Sequence, residues 1–184
     1  MPIIVNVAGQ VGQIKLSTTK ALWPLFETVI NSIQSLEDSD VEEKKIVIDA
    51  LRPERVQLRT DGQGKTIEEP THFEAFVVTD NGNGFNIENY TSFLEAYSQL
   101  KVRKGCNGIG RFLWLKAFDK VAIKSTYFED GHWHLRAFDF ALTGVNPEQN
   151  DSILELDDSV QQTIVRLDGF KNSYRDSVAY SLES

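Results

Sequence analysis

Apolar positions recur with a helical period near the start of the chain. The recurring residues are Leu22, Leu25, Phe26, Val29, Ile30 and Ile33. Their spacing predicts an amphipathic helix from about residue 20 to residue 36, with a single apolar face. Ser17, Thr18 and Thr19 offer capping side chains before it. The acidic run at 37–43 predicts a solvated loop that ends the helix.

Short apolar and β-branched runs predict the strands of a sheet. They lie at about 45–50, 55–59, 73–79, 119–128, 131–140, 152–156 and 161–168. The first two are expected to pair as a hairpin, and further helices are predicted at 87–100 and 109–118. Neighbouring strands are joined by short turns and β-α-β alternation is missing. We therefore predict an α+β, two-layer sandwich whose mixed, mostly antiparallel sheet is covered on one face by helices.

Length and composition limit the class of protein. The 184 residues, 41% of them apolar, fit one domain, which we expect at 1–170, with 171–184 a stub leading to a further domain. No apolar run is long enough to span a bilayer, and the single cysteine excludes an internal disulfide. A cytoplasmic protein is expected. The formal charge of −8 argues against direct nucleic-acid binding by this domain.

Two segments place polar side chains where a ligand could meet them. Glu27 and Asn31 are four residues apart, so they share one face of the first predicted helix. Asp80-Asn81-Gly82-Asn83-Gly84 follows a predicted strand directly. A carboxylate at a strand end can accept a hydrogen bond from an exocyclic amine, and glycines let a flat ring approach the backbone. The alternative interpretation of this segment is an ordinary hairpin turn.

A third segment combines glycines with the start of a helix. Gly105, Gly108 and Gly110 precede or open the predicted helix, together with Ile109 and Arg111. Unpaired N–H groups at a helix N-terminus suit a phosphate. The segment is neither a P-loop nor a convincing dinucleotide fingerprint. Lys101, Arg103 and Lys104 lie just before it, as either a solvated charged face or additional phosphate contacts.

These three segments, in this order, resemble the N, G1 and G2 boxes of the GHKL (Bergerat-fold) ATPases, which include DNA gyrase, MutL mismatch-repair proteins, heat-shock chaperones and sensor histidine kinases. Thr163, within Gln161-Gln162-Thr163-Ile164, resembles a late-strand threonine of that family, although Gln162 stands where a glycine is common. The resemblance covers residues 20–170 and rests on the order and spacing of motifs that are individually weak.

The resemblance implies a site for ATP and Mg²⁺. Asp80 would accept the adenine amino group, Thr163 would support the base, and Gly82 and Gly84 would shape its pocket. Asn31 would bind the magnesium ion. Glu27 would act as the general base that activates water. The implied phosphate contacts are Gly105, Gly108, Ile109, Gly110 and Arg111, and residues 85–107 would form a lid over the phosphates.

The implied partners are ATP or ADP, further domains of the parent chain, and a homodimer partner engaged by ATP-dependent lid closure. Gln34 stands where many family members have an acidic residue, which puts hydrolysis in doubt. Many relatives have alanine in place of Ser32, and that difference is expected to be neutral. Two alternatives stay open: a nucleotide-sensing module without turnover, and the catalytic domain of a histidine or serine kinase. Glu27 argues against the kinase, because sensor kinases usually have asparagine there.

Overall fold

The computed structural model describes residues 6–53, 57–60, 62–69, 71–95, 110–146, 151–155 and 160–178. Within them the helices are α1 (Val7–Gln13), α2 (Trp23–Glu37), α3 (Ile87–Leu94), α4 (Gly110–Ala117) and α5 (Asn172–Arg175). The strands are β1 (Ile46–Leu51), β2 (Gln57–Thr60), β3 (Thr66–Glu69), β4 (Ala75–Asp80), β5 (Phe118–Glu129), β6 (His132–Ala141), β7 (Gly144–Val145), β8 (Ser152–Leu154) and β9 (Gln162–Phe170).

Seven strands form one antiparallel sheet. Its order is β1-β4-β9-β5-β6-β7, and β8 pairs with β6. Strands β2 and β3 form a separate two-stranded hairpin. The chain is therefore an α+β protein with a seven-stranded antiparallel sheet packed against helices, as the sequence predicts in outline. The expectation of a mixed sheet is not met in the part of the chain described, where every strand pair is antiparallel.

Period-two alternation builds the core on one face of this sheet. Alternate residues of the central strands point towards α2 and α4, and those helices also pack against each other. The largest fully buried side chains include Phe76, Val78, Phe112, Leu115, Phe118, Val121, Tyr127, Phe138 and Leu167. Helix α3 joins them through Phe93, whose ring lies 5.3 Å from that of Phe138. No helix in the described ranges has the length and apolarity needed to cross a bilayer.

The apolar positions of α2 share one broad face, but the protein buries only one edge of it. Leu25 is buried at that edge, whereas Phe26, Ile30 and Ile33 are exposed to solvent. Hydrophobic periodicity locates an apolar face, but it does not show how much of that face a neighbouring element covers. The helix also starts later than predicted, at Trp23, because Ser17 caps a short 3₁₀ turn (Thr18–Lys20) instead of α2.

The hairpin predicted between 45–50 and 55–59 is also wrong. Strand β1 pairs with β4, opposing Ile46 to Asp80 and Leu51 to Ala75. Strand β2 pairs with β3, across a turn in which Gly64 has a φ of +80°. The predicted helix at 87–100 is described only as α3, since residues 96–100 lie outside the described part of the chain.

Candidate active site

A row of buried polar side chains crosses the sheet where β4 ends. In register, Asp80 opposes Thr163, Thr163 opposes Ser125, and Ser125 opposes Arg136. Directly opposed residues of antiparallel strands project from the same face. None of the four is more than 4% exposed. The row forms a polar floor at one end of the face that the helices cover.

Asp80 is held at the edge of this floor by two donors. Its Oδ2 accepts a hydrogen bond of 2.7 Å from Ser32 of α2, and its Oδ1 accepts one of 3.0 Å from the backbone N–H of Gly82. Burial raises the pKa of Asp80, and these two hydrogen bonds oppose the rise. A carboxylate oxygen has two lone pairs, so each oxygen keeps an acceptor for a ligand.

The loop after Asp80 is bound to the connection that follows α2. Asn81 donates to the carbonyl of Glu43 and accepts from the N–H of Lys45, both at 2.8 Å. Asn83 donates to the carbonyl of Asp38 at 2.7 Å. The next element is a helix, α3, whose N-cap is Asn86. The hairpin-turn interpretation of this segment is therefore wrong, and the asparagines fix the loop in place.

Both loop glycines are required by close contacts. A Cβ at Gly82 would lie 2.8 Å from the carbonyl carbon of Ser35. Gly84 has a φ of +70°, and a Cβ there would lie 2.6 Å from Ser125 Oγ. The carbonyl of Gly82 also accepts a hydrogen bond of 2.8 Å from Gln161 Nε2. The glycines thus bring the backbone close to the polar floor.

Ser125 and Thr163 share a hydrogen bond on this floor. Their hydroxyl oxygens are 2.9 Å apart, and Ser125 Oγ also accepts from the backbone N–H of Phe85 at 2.9 Å. Thr163, which was singled out from the sequence, is therefore placed beside Asp80 by strand register. Ser125 was missed, because its partner is 38 residues away and only the pairing of β5 with β9 joins them.

Helix α2 also reaches the start of α4. The carboxylate of Glu27 lies against the backbone of Gly110, where a Cβ would overlap Oε2. Gly110 is the first residue of α4, and the N–H groups of a first helical turn lack intrahelical partners. Burial raises the pKa of Glu27 above its ordinary value. One helix therefore contacts Asp80 through Ser32 and Gly110 through Glu27.

Asn31 lies between these two contacts. It is one helical turn after Glu27 and directly precedes Ser32, and it is half-buried.

Alanine in place of Ser32 was expected to be neutral. That expectation does not fit the hydrogen bond from Ser32 to Asp80. Ser32 belongs to a buried i, i+4 series with Thr28 and Leu36, and that burial is visible only in the structure.

Arg111 points into an aromatic environment. Its guanidinium carbon lies 5.2 Å from the ring centre of Phe93 and 4.9 Å from that of Phe112. Burial lowers the pKa of Arg111 to about 10, so the side chain stays charged at neutral pH. It links the start of α4 to α3. The contact of Arg111 with a phosphate stays a prediction.

The remaining predicted phosphate residues, Gly105, Gly108 and Ile109, lie outside the described residues, as do Lys101, Arg103, Lys104 and Cys106. The predicted lid at 85–107 is described only to Glu95. In that part, Phe85 and Phe93 pack against Phe138 with ring centres 5.4 and 5.3 Å away. This half belongs to the core, and the lid stays a prediction for residues 96–107.

A hydrogen-bonded cluster closes the far end of the polar floor. Tyr127 donates to Asp151 at 2.9 Å, and Arg136 lies 3.2 Å from the same carboxylate. His134 stacks on Tyr127 and places Nδ1 3.2 Å from Asp151. Burial raises the pKa of the Tyr127 phenol, which favours its role as a donor. The described residues contain no group of three or more metal-ligating side chains here or elsewhere.

Comparison with known proteins does not assign a function to this geometry. No protein-family model matches the chain, and no curated protein matches it in sequence.

Proposed function

We propose that this domain binds ATP with Mg²⁺ and hydrolyses it in a site of the GHKL type, within a Bergerat fold. The observation that carries the proposal is the double contact of α2. Ser32 fixes the buried carboxylate of Asp80, and Glu27 lies against Gly110 at the start of α4. Helix α2 therefore connects Asp80, which is proposed to bind adenine, with the start of α4, which is proposed to bind the phosphates.

Adenine recognition is assigned to the polar floor. Asp80 keeps acceptor lone pairs beside its bonds to Ser32 and Gly82, which suits the donor on the exocyclic amine of adenine. Thr163 is the second polar group, held by Ser125. Guanine carries a carbonyl at the equivalent position, and an acceptor facing a carboxylate is unfavourable. Asp80 should therefore select ATP over GTP.

The residues present fit a magnesium ion. Asn31 offers a carboxamide oxygen, a hard ligand, on the side of α2 that bears Glu27. Magnesium usually takes few protein ligands and completes its shell with phosphate oxygens and water. The lack of a larger ligand cluster among the described residues is compatible with that mode. When bound, the ion would neutralise phosphate charge, and Asn31 would hold it on α2.

Phosphate binding is assigned to the start of α4. Gly110 opens the helix, whose unpaired N–H groups and dipole favour an anion. Gly105, Gly108, Ile109 and Arg111 are the further contacts that the resemblance implies. Closure of residues 96–107 over the phosphates would report the nucleotide state to other domains or to a dimer partner.

Hydrolysis is assigned to Glu27. Its carboxylate would take a proton from the attacking water, and its raised pKa makes it a stronger base than an exposed glutamate. Positioning a general base in this way contributes on the order of 10²–10⁴-fold to a rate. The resting position of Glu27 beside Gly110 places that carboxylate at the end of α4 where the phosphates would lie.

A nucleotide sensor without turnover is the alternative that one residue favours. Gln34 is buried in α2, on the helix that carries Glu27 and Asn31, and its amide brings no charge. Such a module would bind ATP through Asp80 but would release no phosphate.

Single-turnover phosphate release separates these functions. We expect the wild-type chain to release phosphate from ATP, Glu27→Ala to lose release while binding ATP, and the exposed control Glu155→Ala to match the wild type. Tight binding without release in the wild type would support the sensor. Transfer of phosphate to a protein would support the kinase. Loss of both binding and release in Glu27→Ala would contradict its assignment as the base.

A further inference from the structure

Helix α2 presents the outer part of its apolar face to solvent. Four large side chains form it: Trp23, Phe26, Ile30 and Ile33, which are 44%, 55%, 42% and 44% exposed. Their spacing of three, four and three residues places them in one row, which we call the outer stripe. The opposite face of α2 is already packed on the core. Contiguous exposed apolar patches, unlike scattered single residues, mark interaction surfaces.

The N-terminal end of the outer stripe is basic. Trp23 forms one wall of an open pocket of about 660 Å³, in which Lys15, Lys20 and Lys116 also take part. The amine of Lys20 lies 3.9 Å from the ring centre of Trp23. The described residues that line this pocket include no carboxylate. The end of the stripe is therefore suited to an acidic group carried by an apolar segment.

The C-terminal end of the same helix is acidic. Glu37 ends α2 on the side of the outer stripe, and further acidic residues follow it within six positions: Asp38, Asp40, Glu42 and Glu43. The exposed face of α2 thus begins beside lysines that flank the helix, continues through the apolar outer stripe and ends at an acidic segment. Its 15 residues span roughly 22 Å at 1.5 Å per residue.

We propose that a second copy of this chain binds the outer stripe, with the two α2 helices antiparallel about a two-fold axis. With the two-fold axis at the midpoint of the stripe, Phe26 lies opposite Ile30 of the second copy, and Trp23 lies opposite its Ile33. The same register brings the Lys20 end of each helix to the Glu37 end of the other. In a two-fold interface the same surface of each copy meets the other, so that surface must be complementary to itself. The basic and acidic ends of this face meet that condition.

Charge selects this arrangement over the alternatives. A parallel pairing would oppose lysines to lysines and acids to acids. The overall charge of −8 also opposes association unless opposite charges are brought together locally. The surface is one helix wide, so it belongs with small interfaces of less than about 1,200 Å², and the dimer should be weak and concentration-dependent. The pairing requires no nucleotide.

Sedimentation equilibrium of the full chain tests the pairing. We expect self-association that Ile30→Glu weakens more than about tenfold, because it places a charge beside the two-fold axis. Ile153→Glu is the matched control, since Ile153 is also an exposed isoleucine but lies on β8, which pairs with β6, and it should leave association unchanged. Association that Ile30→Glu leaves intact would overturn the proposal. So would a monomer at up to about 0.5 mM, where even a Kd near 1 mM is detectable.

A charge exchange gives the sharper test. Lys20→Glu and Glu37→Lys should each weaken association by opposing like charges across the two helices. The double variant should restore it, because both contacts are remade with reversed signs. Lys20 lies in the 3₁₀ turn before α2 and Glu37 is the last residue of α2, so a helix length separates them and no contact within a copy can explain the rescue. Binding of an unrelated acidic peptide without dimerisation, or a double variant as weak as the single ones, would contradict the proposal.

Discussion

Ser32 of α2 donates a 2.7 Å hydrogen bond to the buried carboxylate of Asp80, and this bond joins the helix to the end of β4. Asp80 also opposes Thr163 across the sheet. The carboxylate therefore has its position set from two directions, by a helix and by strand register. A ligand that meets Asp80 finds an acceptor already oriented, which reduces the ordering required on binding.

Ser32→Ala should therefore be harmful. It leaves a buried carboxylate without one of its donors, which costs roughly 1–3 kcal/mol in the free energy of unfolding. We expect ATP affinity to fall about tenfold as Asp80 loses its orientation. Urea unfolding and calorimetric titration measure the two effects. Ser177→Ala, on an exposed serine, is the control, and equal behaviour of the two variants would remove Ser32 from the site.

Glu27→Gln should separate catalysis from stability. The folded-state pKa of Glu27 is raised above its ordinary value, so the fold disfavours the ionised form. That unfavourable contribution is absent below the unfolded-state pKa and appears as pH rises through the folded-state pKa. We expect Glu27→Gln to melt higher than the wild type at pH 7, and the difference to vanish at acidic pH.

The same shift sets the pH profile of hydrolysis. A general base must be unprotonated, so wild-type phosphate release should decline on the acid side at a higher pH than an ordinary glutamate would give. Glu27→Gln should lower release by roughly 10²–10⁴-fold at pH 7. A pH series of initial rates measures this. Retained activity in the variant would show that another group activates water.

Gly84→Ala should disrupt the floor through steric overlap. Both Gly84 and Gly131 have positive φ, at +70° and +81°, so alanine is strained at either position. Only at Gly84 would the new Cβ also meet Ser125 and Tyr127, because nothing lies within 4 Å of it at Gly131. We expect Gly84→Ala to lose about 1–3 kcal/mol more stability than Gly131→Ala, measured by urea unfolding. Equal losses would indicate that the contact relaxes freely.

The sequence predicted the local elements better than their partners. Helix α2 and strands β4, β5, β6 and β9 were located within a few residues, because their apolar periods are strong. The pairing of β1 with β4 was missed, since nothing local distinguishes it from a hairpin with β2. The sequence placed Phe26, Ile30 and Ile33 of the outer stripe on the same apolar face as Leu25, and it could not show that they are exposed, because they are as apolar as buried residues.

The sequence likewise identified some residues of the candidate site and missed others. Asp80 and Gly84 stand in one short segment, so their spacing was visible, and strand register then brought Thr163 beside them. Ser125 and Gln161 act through contacts that span 38 and 79 residues, and such contacts exist only once the sheet is formed. Glu27 and Gly110 are likewise joined only by the packing of α2 against α4.

Calorimetric titration of Asp80→Asn with ATP and GTP tests the central assignment most directly. The wild-type chain should bind ATP with Mg²⁺ and discriminate against GTP, because Asp80 accepts from the adenine amine. Asp80→Asn should bind ATP at least about tenfold more weakly and lose the discrimination, while the exposed control Asp49→Asn keeps both. Wild-type protein that fails to bind ATP, or an Asp80→Asn variant that binds and discriminates as the wild type does, would contradict the account.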